Sequence, residues 1–337
     1  MTINHSSKTD QVAVIYHYFE ACDEYKENFL FFLNTGINEF AKYFIYISGA
    51  CSVNLPVLPN VEVFHIENKN FDFGAQCEFS KRNDCMDYDA YIFVNSSVRG
   101  PFLPEYFNFP WQSIYTERLT EKVVLVGSSI NLLPEQSATS LKFEQMTKYK
   151  APFIHVQTTA YAMSARAYRI MHDQGFYDID CELTKLGAIC YYEIGLSQEI
   201  LNKGYKIAAI LPTYNEFCLK NKTSAYQTTL KHGDPLNKSA FYGRNLSPFE
   251  VLFVKPKRRA LSGAELNSYT FTALAVARKK FGISCDGLDL LEKAHNAAIY
   301  GKKKDEKINI SLDDIQKMLV QIKLSRPDIA TQLKQIL

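Results

Sequence analysis

Short apolar, β-branched runs alternate with helix-spaced segments over roughly the first 130 residues, and this alternation confines the chain to an α/β fold. Val12–Tyr16, Tyr43–Ser48, Val61–Ile66, Ala90–Val94 and Val123–Val126 read as strands, being short and rich in Val, Ile, Phe and Tyr. Between them, Asn28–Phe40 and Ala75–Asp84 carry apolar residues at helical spacing. Strands and helices in this order predict a mostly parallel, twisted, Rossmann-like sheet with helices on both faces. Ligands of such sheets sit outside the carboxyl ends of the strands.

The second half has a different texture. Pro152–Met163 and Leu246–Lys255 read as strands or strand-helix junctions, while Ser197–Lys203 is helical and stops at Gly204. These segments complete a domain of residues 1–258. A helical extension over 259–300 opens on the capping box Ser262-Gly263-Ala264-Glu265, runs through Ala273–Lys280 and stops at Gly282. Lys302-Lys303-Lys304 lies in a polar linker, Ser311-Leu312-Asp313-Asp314 opens another helix, and Arg326-Pro327 breaks that from a last short one. Residues 301–337 are therefore expected to be linker and short C-terminal helices.

Composition narrows the classes further. At 337 residues, 47% hydrophobic and 22% charged, the chain has enough apolar material for a sizeable core, and disorder is excluded for its bulk. A formal net charge of +2 gives no general field for a nucleic-acid partner. The eight cysteines form no Cys-x-x-Cys pair and have no His at ligand spacing, which argues against zinc. Met1–Asp10 is polar, and no run approaches the roughly 18 to 20 apolar residues that span a bilayer. The expectation is a soluble protein of the reducing cytoplasm with free thiols.

Three segments carry candidate chemistry. Asn68-Lys69-Asn70-Phe71-Asp72-Phe73-Gly74-Ala75 follows a strand and precedes a helix, so it belongs at the ligand-facing edge. Asp72 there is suited to accept hydrogen bonds from a base or ribose, and Gly74 to admit a nucleotide close to the backbone. The purely structural alternative is that Asp72 caps the helix near Ala75. The apolar strand within Tyr88–Phe102 empties into Asn95, Ser96 and Ser97, short polar groups where a diphosphate would lie, with Arg99 to neutralise it. An ordinary turn whose Arg meets a surface carboxylate explains the same pattern. His155-Val156-Gln157 and Tyr191-Tyr192-Glu193-Ile194-Gly195-Leu196-Ser197 form the third group. A Glu193 held in a partly apolar pocket would have a raised pKa and would accept a proton from an attacking hydroxyl. Otherwise it is a helix N-terminal Glu favoured by the dipole.

Taken together, Asn68–Ala75, Tyr88–Leu103, Val123–Ile130, His155–Gln157, Glu193–Gly204 and Ser247–Lys255 resemble, in order, a family of glycosyltransferases that includes the rhamnan-synthesis-type proteins. The resemblance covers residues 11–258. It implies a GT-A fold, a nucleotide-diphosphate sugar donor, and a saccharide or lipid-linked saccharide acceptor in surface polysaccharide or lipopolysaccharide biosynthesis. It also implies a nucleotide-sugar site of Tyr16, Asn70, Asp72, Gly74, Asn95, Ser96, Ser97 and Arg99, with His155, Gln157 and Lys255 on the acceptor side. Asn95–Ser97 stands where many GT-A enzymes have Asp-x-Asp, and it offers no carboxylate to hold Mg2+ or Mn2+. The metal is thus left open, with Arg99 or Lys255 to supply the charge instead. In an inverting transfer Glu193 is the first candidate for general base. Glu250, in Pro248-Phe249-Glu250, is the second, its neighbours burying it near Lys255.

Two other classes fit the sequence less well. A dinucleotide-dependent oxidoreductase would need Gly-x-Gly-x-x-Gly at the first strand-helix turn, which here reads Tyr16-His17-Tyr18-Phe19. A non-catalytic carbohydrate- or nucleotide-binding module would stack ligands on some of the 21 Tyr and 23 Phe, most of which fall in apolar runs and read as core. The run Lys255-Pro256-Lys257-Arg258-Arg259 and the Lys302 triplet would suit peripheral contact with anionic lipid at the inner face of a membrane, or a solvated surface.

Overall fold

The computed structural model describes residues 11–214, 216–218, 220, 234–281 and 289–297. The expectations for Met1–Asp10, Gly282, Lys302–Lys304, Ser311–Asp314 and Arg326-Pro327 fall outside the described residues.

Strands β1 (Val12–Phe19), β2 (Lys42–Ser48), β3 (Val61–Ile66), β4 (Ala90–Asn95), β5 (Val123–Gly127), β8 (Ala160–Ser164) and β9 (Lys206–Ala209) build a seven-stranded sheet in the order β3-β2-β1-β4-β8-β5-β9. Between β5 and β8 in sequence, β6 (Ile130–Leu133) and β7 (Phe153–Val156) pair as a separate antiparallel ribbon. β8 runs antiparallel to both β4 and β5, and the other pairings are parallel. The chain thus folds as the expected mostly parallel α/β sheet. It leaves β1 on one side to form β2 and β3, then returns to the other side as β4. In register, His17 stands opposite Asn95 on β4 and Tyr46 on β2. A crevice at such a reversal of strand order, outside the carboxyl ends, is where open α/β sheets bind ligands.

Helices cover both faces because successive strand side chains point to opposite sides. Tyr16 and Tyr18 lie against Phe29 of α1 (Asp23–Thr35), with ring centroids 5.1 and 4.1 Å away. Ile15 and His17 face the other way, sharing a small cavity with Ala75 and Gln76 of α2 (Phe71–Ser80). Aromatic pairs of this kind contribute about 0.5–1.5 kcal/mol each beyond their area.

α1 begins five residues earlier than Asn28 because Asp23 and Glu24 suit the positive helix N-terminus. It ends at Gly36, where an added Cβ would meet the Phe32 ring at 2.6 Å. α2 likewise starts at Phe71 rather than Ala75 and stops before Arg82, which turns back to pair with Asp84.

The expected helix after Glu193 is observed as Gly195–Asn202, and Gly204, at φ 86°, terminates it. Leu246–Lys255 holds a short helix, Pro248–Val251, and a bridge from Val254 to Arg99. The helix Gly263–Phe281 has the expected capping box, with Ser262 N donating to Glu265 Oε2 at 2.8 Å and Glu265 N to Ser262 Oγ at 3.2 Å. It buries Leu266, Thr270 and Leu274 and packs on α1. No helix among the described residues is long and apolar enough to cross a membrane. None of the seven described cysteines forms a disulfide.

Candidate active site

The site begins with a strained turn. Asn70 and Phe71 adopt φ of 62° and 56°, a region most side chains avoid, and Asn70 Oδ1 accepts from Leu183 N at 2.8 Å. This sharp exit from β3 puts Asp72 in the first turn of α2, beside the end of β4. Asn95 Nδ2 donates to Asp72 Oδ2 at 3.1 Å, while Asn95 Oδ1 accepts from Ser97 Oγ at 2.6 Å and Ser97 N at 3.1 Å. Asp72 is half-buried, and desolvation lifts its carboxyl to about 6. The charge of Glu193 pushes the same way, and the Asn95 amide and Lys255 oppose it. His17 lines the same small cavity; its Nε2 meets Ser48 Oγ at 2.8 Å, and burial lowers its pKa to about 4, so it is neutral at pH 7.

Glu193 comes from a π-helical segment, Ala188–Ile194, whose Cys190 and Ile194 bury against Phe143 and Phe153. Ser197 Oγ accepts from Val156 N at 2.9 Å and Gln198 Nε2 donates to the Ile154 carbonyl at 2.7 Å, which locks β7 to the following helix. Glu193 Oε1 therefore stands 3.7 Å from Nε2 of His155, with the carboxylate side chain 30% exposed and the imidazole 3%. That distance is longer than a well-formed hydrogen bond. Desolvation pushes the Glu193 pKa up, but His155, Lys255 and Arg258 outweigh it and hold the carboxyl below its ordinary range. The raised pKa expected from an apolar setting is thus corrected: His155, Lys255 and Arg258, not the tyrosines, decide it.

Lys255 is half-buried among carboxylates. Desolvation and Arg258 depress its pKa, while Glu193, Asp72 and Asp234 pull it back up. Asp234, 6% exposed, takes hydrogen bonds on Oδ1 from Gln157 Nε2 at 2.5 Å and Leu236 N at 2.9 Å. Its Oδ2 lies 2.8 Å from Arg258 Nη2, an ion pair without a well-directed hydrogen bond. Residues from α2, β4, β7, the π segment and the 255–258 turn therefore converge on one place.

Other expected members are used differently. Tyr16 points into the core against α1, because strand alternation sends His17, not Tyr16, toward Asp72. Ser96 is buried, its carbonyl accepting from Asn28 Nδ2 and its Oγ from Phe19 N. Arg99, 2% exposed, donates to Glu27 Oε2 and Asn28 Oδ1, both at 2.9 Å, and to Thr270 Oγ1 at 3.1 Å. That arrangement commits it to structure rather than to a phosphate. Glu250 is not buried near Lys255: it caps its helix through Ser247 N and forms a two-pronged pair with Arg244, which holds its pKa down. Gly74 has a packing reason, since an added Cβ would stand 2.3 Å from the Lys69 carbonyl oxygen.

Sequence reasoning missed His17 and Asp234 and placed Arg258 in a basic surface run. For His17 the signal was there, in the alternation that buries Tyr16. Asp234 carried none. At the Asp-x-Asp position the donor set does not fit a divalent cation: both polar ends of Asn95 are engaged within the protein and Asp72 is a lone carboxyl. Among the described residues no three His, Cys, Asp or Glu side chains are grouped to hold a metal ion.

A larger cavity, about 1400 Å3, lies elsewhere, between residues 34–40, the 101–111 loop and the helix Gly263–Phe281. It adjoins the end of α1 and so the opposite edge of the sheet from Asp72. Its lining is mainly apolar and includes none of the converging groups.

Comparison with family models and with curated protein sequences gives no match. Among solved structures, a mannosyltransferase from Pyrobaculum calidifontis in complex with GDP-Man and Mn2+ is 10% identical, aligning 87% of this chain with 82% of that one at a TM-score of 0.34. The galactosyltransferase LgtC, in complex with donor and acceptor sugar analogs, is 10% identical over 83% of this chain and 100% of that one, at 0.37. The apo bifunctional glycosyltransferase WbbM is 10% identical over 77% and 51%, at 0.34. Likeness at this level leaves the function to be argued from this chain's own side chains.

Proposed function

We propose that this chain is a GT-A-type glycosyltransferase that moves a hexosyl or deoxyhexosyl group from a nucleotide-diphosphate sugar to a saccharide acceptor. The observation that carries this reading is the meeting of Asp72, Asn95, Glu193 and Lys255 at the reversal of strand order between β1 and β4. A nucleotide in that crevice would offer its ribose or base to Asp72. Glu193, kept ionised by His155 and the nearby cations, would take the acceptor hydroxyl proton as the oxygen attacks the anomeric carbon. The bond to the phosphate oxygen breaks, and the nucleoside diphosphate leaves with the electron pair. We assign no step to a metal, because the donor set at Asn95–Ser97 does not fit one.

The finer reading is a rhamnan-synthesis-type enzyme of surface polysaccharide or lipopolysaccharide assembly. It would act in the cytoplasm, on a saccharide or lipid-linked saccharide, with peripheral contact at the inner face of the membrane. The ordered resemblance of six segments supports it. A nucleotide-sugar panel screened by thermal shift identifies the donor, since ligand at about 100 times its Kd adds roughly 2.7 kcal/mol. Release of free nucleotide in the presence of saccharide acceptors then tests transfer. Binding without release for every pair would leave a binding module in place of an enzyme.

A further inference from the structure

We propose that Lys255 and Arg258 form a diphosphate-binding pair gated by Asp234, which holds Arg258 until the incoming anion displaces it. The inference deepens the donor-site reading and rests on it for the identity of the anion.

Both cations spring from one short turn. Pro256–Arg258 is a single 3-10 turn with Lys255 at its N-cap, closed by Arg258 N donating to the Lys255 carbonyl at 3.0 Å. Pro256 fixes the first dihedral of the turn, so the spacing of the two side chains is set by the backbone. No described carboxylate makes a direct ion pair with Lys255, although Glu193, Asp72 and Asp234 all act on it through charge. Lys255 thus stands beside Arg258 with carboxylates near it but none in direct contact, which leaves its ammonium open to an incoming anion.

Asp234 supplies the opposing element. It is nearly fully buried and pinned on Oδ1 by Gln157 and Leu236, so the carboxylate is the fixed partner. Arg258 is 41% exposed and meets Oδ2 at 2.8 Å without a well-directed hydrogen bond, so the guanidinium is the partner free to leave. A phosphate offers what Asp234 does not, two oxygens matched to the planar guanidinium fork. Exchange of one anion for the other keeps Arg258 paired throughout and leaves Asp234 with its two hydrogen bonds. The carboxylate therefore weakens the hold on the diphosphate and favours release of the product nucleotide.

The test uses the full chain, inorganic pyrophosphate and a chelator, read by calorimetry. We expect saturable binding that Lys255→Met and Arg258→Met each weaken at least 10-fold, and that Asp234→Asn tightens about 3- to 10-fold. The tightening should vanish in the Asp234→Asn, Arg258→Met double variant. No saturable binding, or an Asp234→Asn variant that folds and binds no tighter, overturns the proposal. Should Asp234→Asn fail to fold, Arg258→Lys decides: it keeps the charge but loses the fork, and unchanged affinity overturns the proposal. Pyrophosphate binding without sugar transfer would remove the enzyme reading and leave this site standing. Transfer activity with pyrophosphate affinity indifferent to Arg258→Met would do the reverse.

Discussion

The Asn95 side-chain amide donates to Asp72 Oδ2 across 3.1 Å, joining the carboxyl end of β4 to the first turn of α2. Desolvation of that carboxyl outweighs the hydrogen bonds from its own backbone N–H and from Asn95, which is why it titrates near 6 instead of 3.8.

Asp72→Asn should accordingly stabilise the protein at pH 7.5 while weakening nucleotide binding at least 10-fold. A carboxyl whose folded pKa is raised adds stability below its unfolded value, near 3.8, and loses that contribution as the pH rises through about 6. Two units at 1.36 kcal/mol each make the ionised form costly by about 2–3 kcal/mol at pH 7.5. The advantage of the variant should shrink as the pH falls toward 4. Urea unfolding at both pH values checks it, and a variant less stable at pH 7.5 would refute the account.

His155→Gln should move the acid limb of kcat/KM upward. Glu193 works as a base only when ionised, and its pKa lies below the ordinary carboxylate range because its neighbours His155, Lys255 and Arg258 outweigh desolvation. Without His155 the desolvation has less opposition, so activity is lost at a higher pH. Glu193→Gln should cost about 10² to 10⁴ in turnover with donor affinity nearly unchanged. A limb that stays in place in His155→Gln would separate the two residues.

Arg99→Leu should cost about 3 kcal/mol of stability and leave donor affinity within about twofold in the folded protein. The guanidinium bridges Glu27, Asn28 and Thr270 inside the fold, so its loss strands acceptors rather than a ligand. Denaturation and calorimetry read the two effects separately. A tenfold loss of affinity with little change in stability would return Arg99 to the phosphate site.

The sheet was legible because its inner strands are buried on both faces and read as continuous apolar runs, as in Ala90–Val94, whereas the edge strand β3 is only partly covered. Helix limits were less so, since the polar first turn of α1 and the strained Asn70-Phe71 start of α2 have no apolar periodicity. The split of Pro152–Met163 into β7 and an antiparallel β8 depends on long-range pairing with β4 and β5, which composition does not encode. In the site, Asp72 and Asn95 could be placed from their strand ends. The burial of Arg99 could not, because its partner Thr270 lies 171 residues away. Nor could the cations around Glu193, which decide the sign of its pKa, be seen from its immediate neighbours.

A π turn holds one residue more than an α turn, so Ala188–Ile194 is slack wound into the chain just ahead of a helix that cannot rotate. In an ordinary helix each residue added or lost swings everything beyond it by about 100°. Here the swing is absorbed before Gly195, whose missing side chain lets the loosened turn close against the Cys190 carbonyl, 3.1 Å from where a Cβ would stand. A single-residue deletion in this stretch would re-aim Glu193 and repack Cys190 and Ile194 against Phe143 and Phe153, while Ser197 and Gln198 still tie the helix Gly195–Asn202 to β7. The aim of the carboxylate is therefore adjustable at the cost of repacking one small cluster, and this seven-residue stretch is where an altered acceptor geometry would be cheapest to evolve or to engineer.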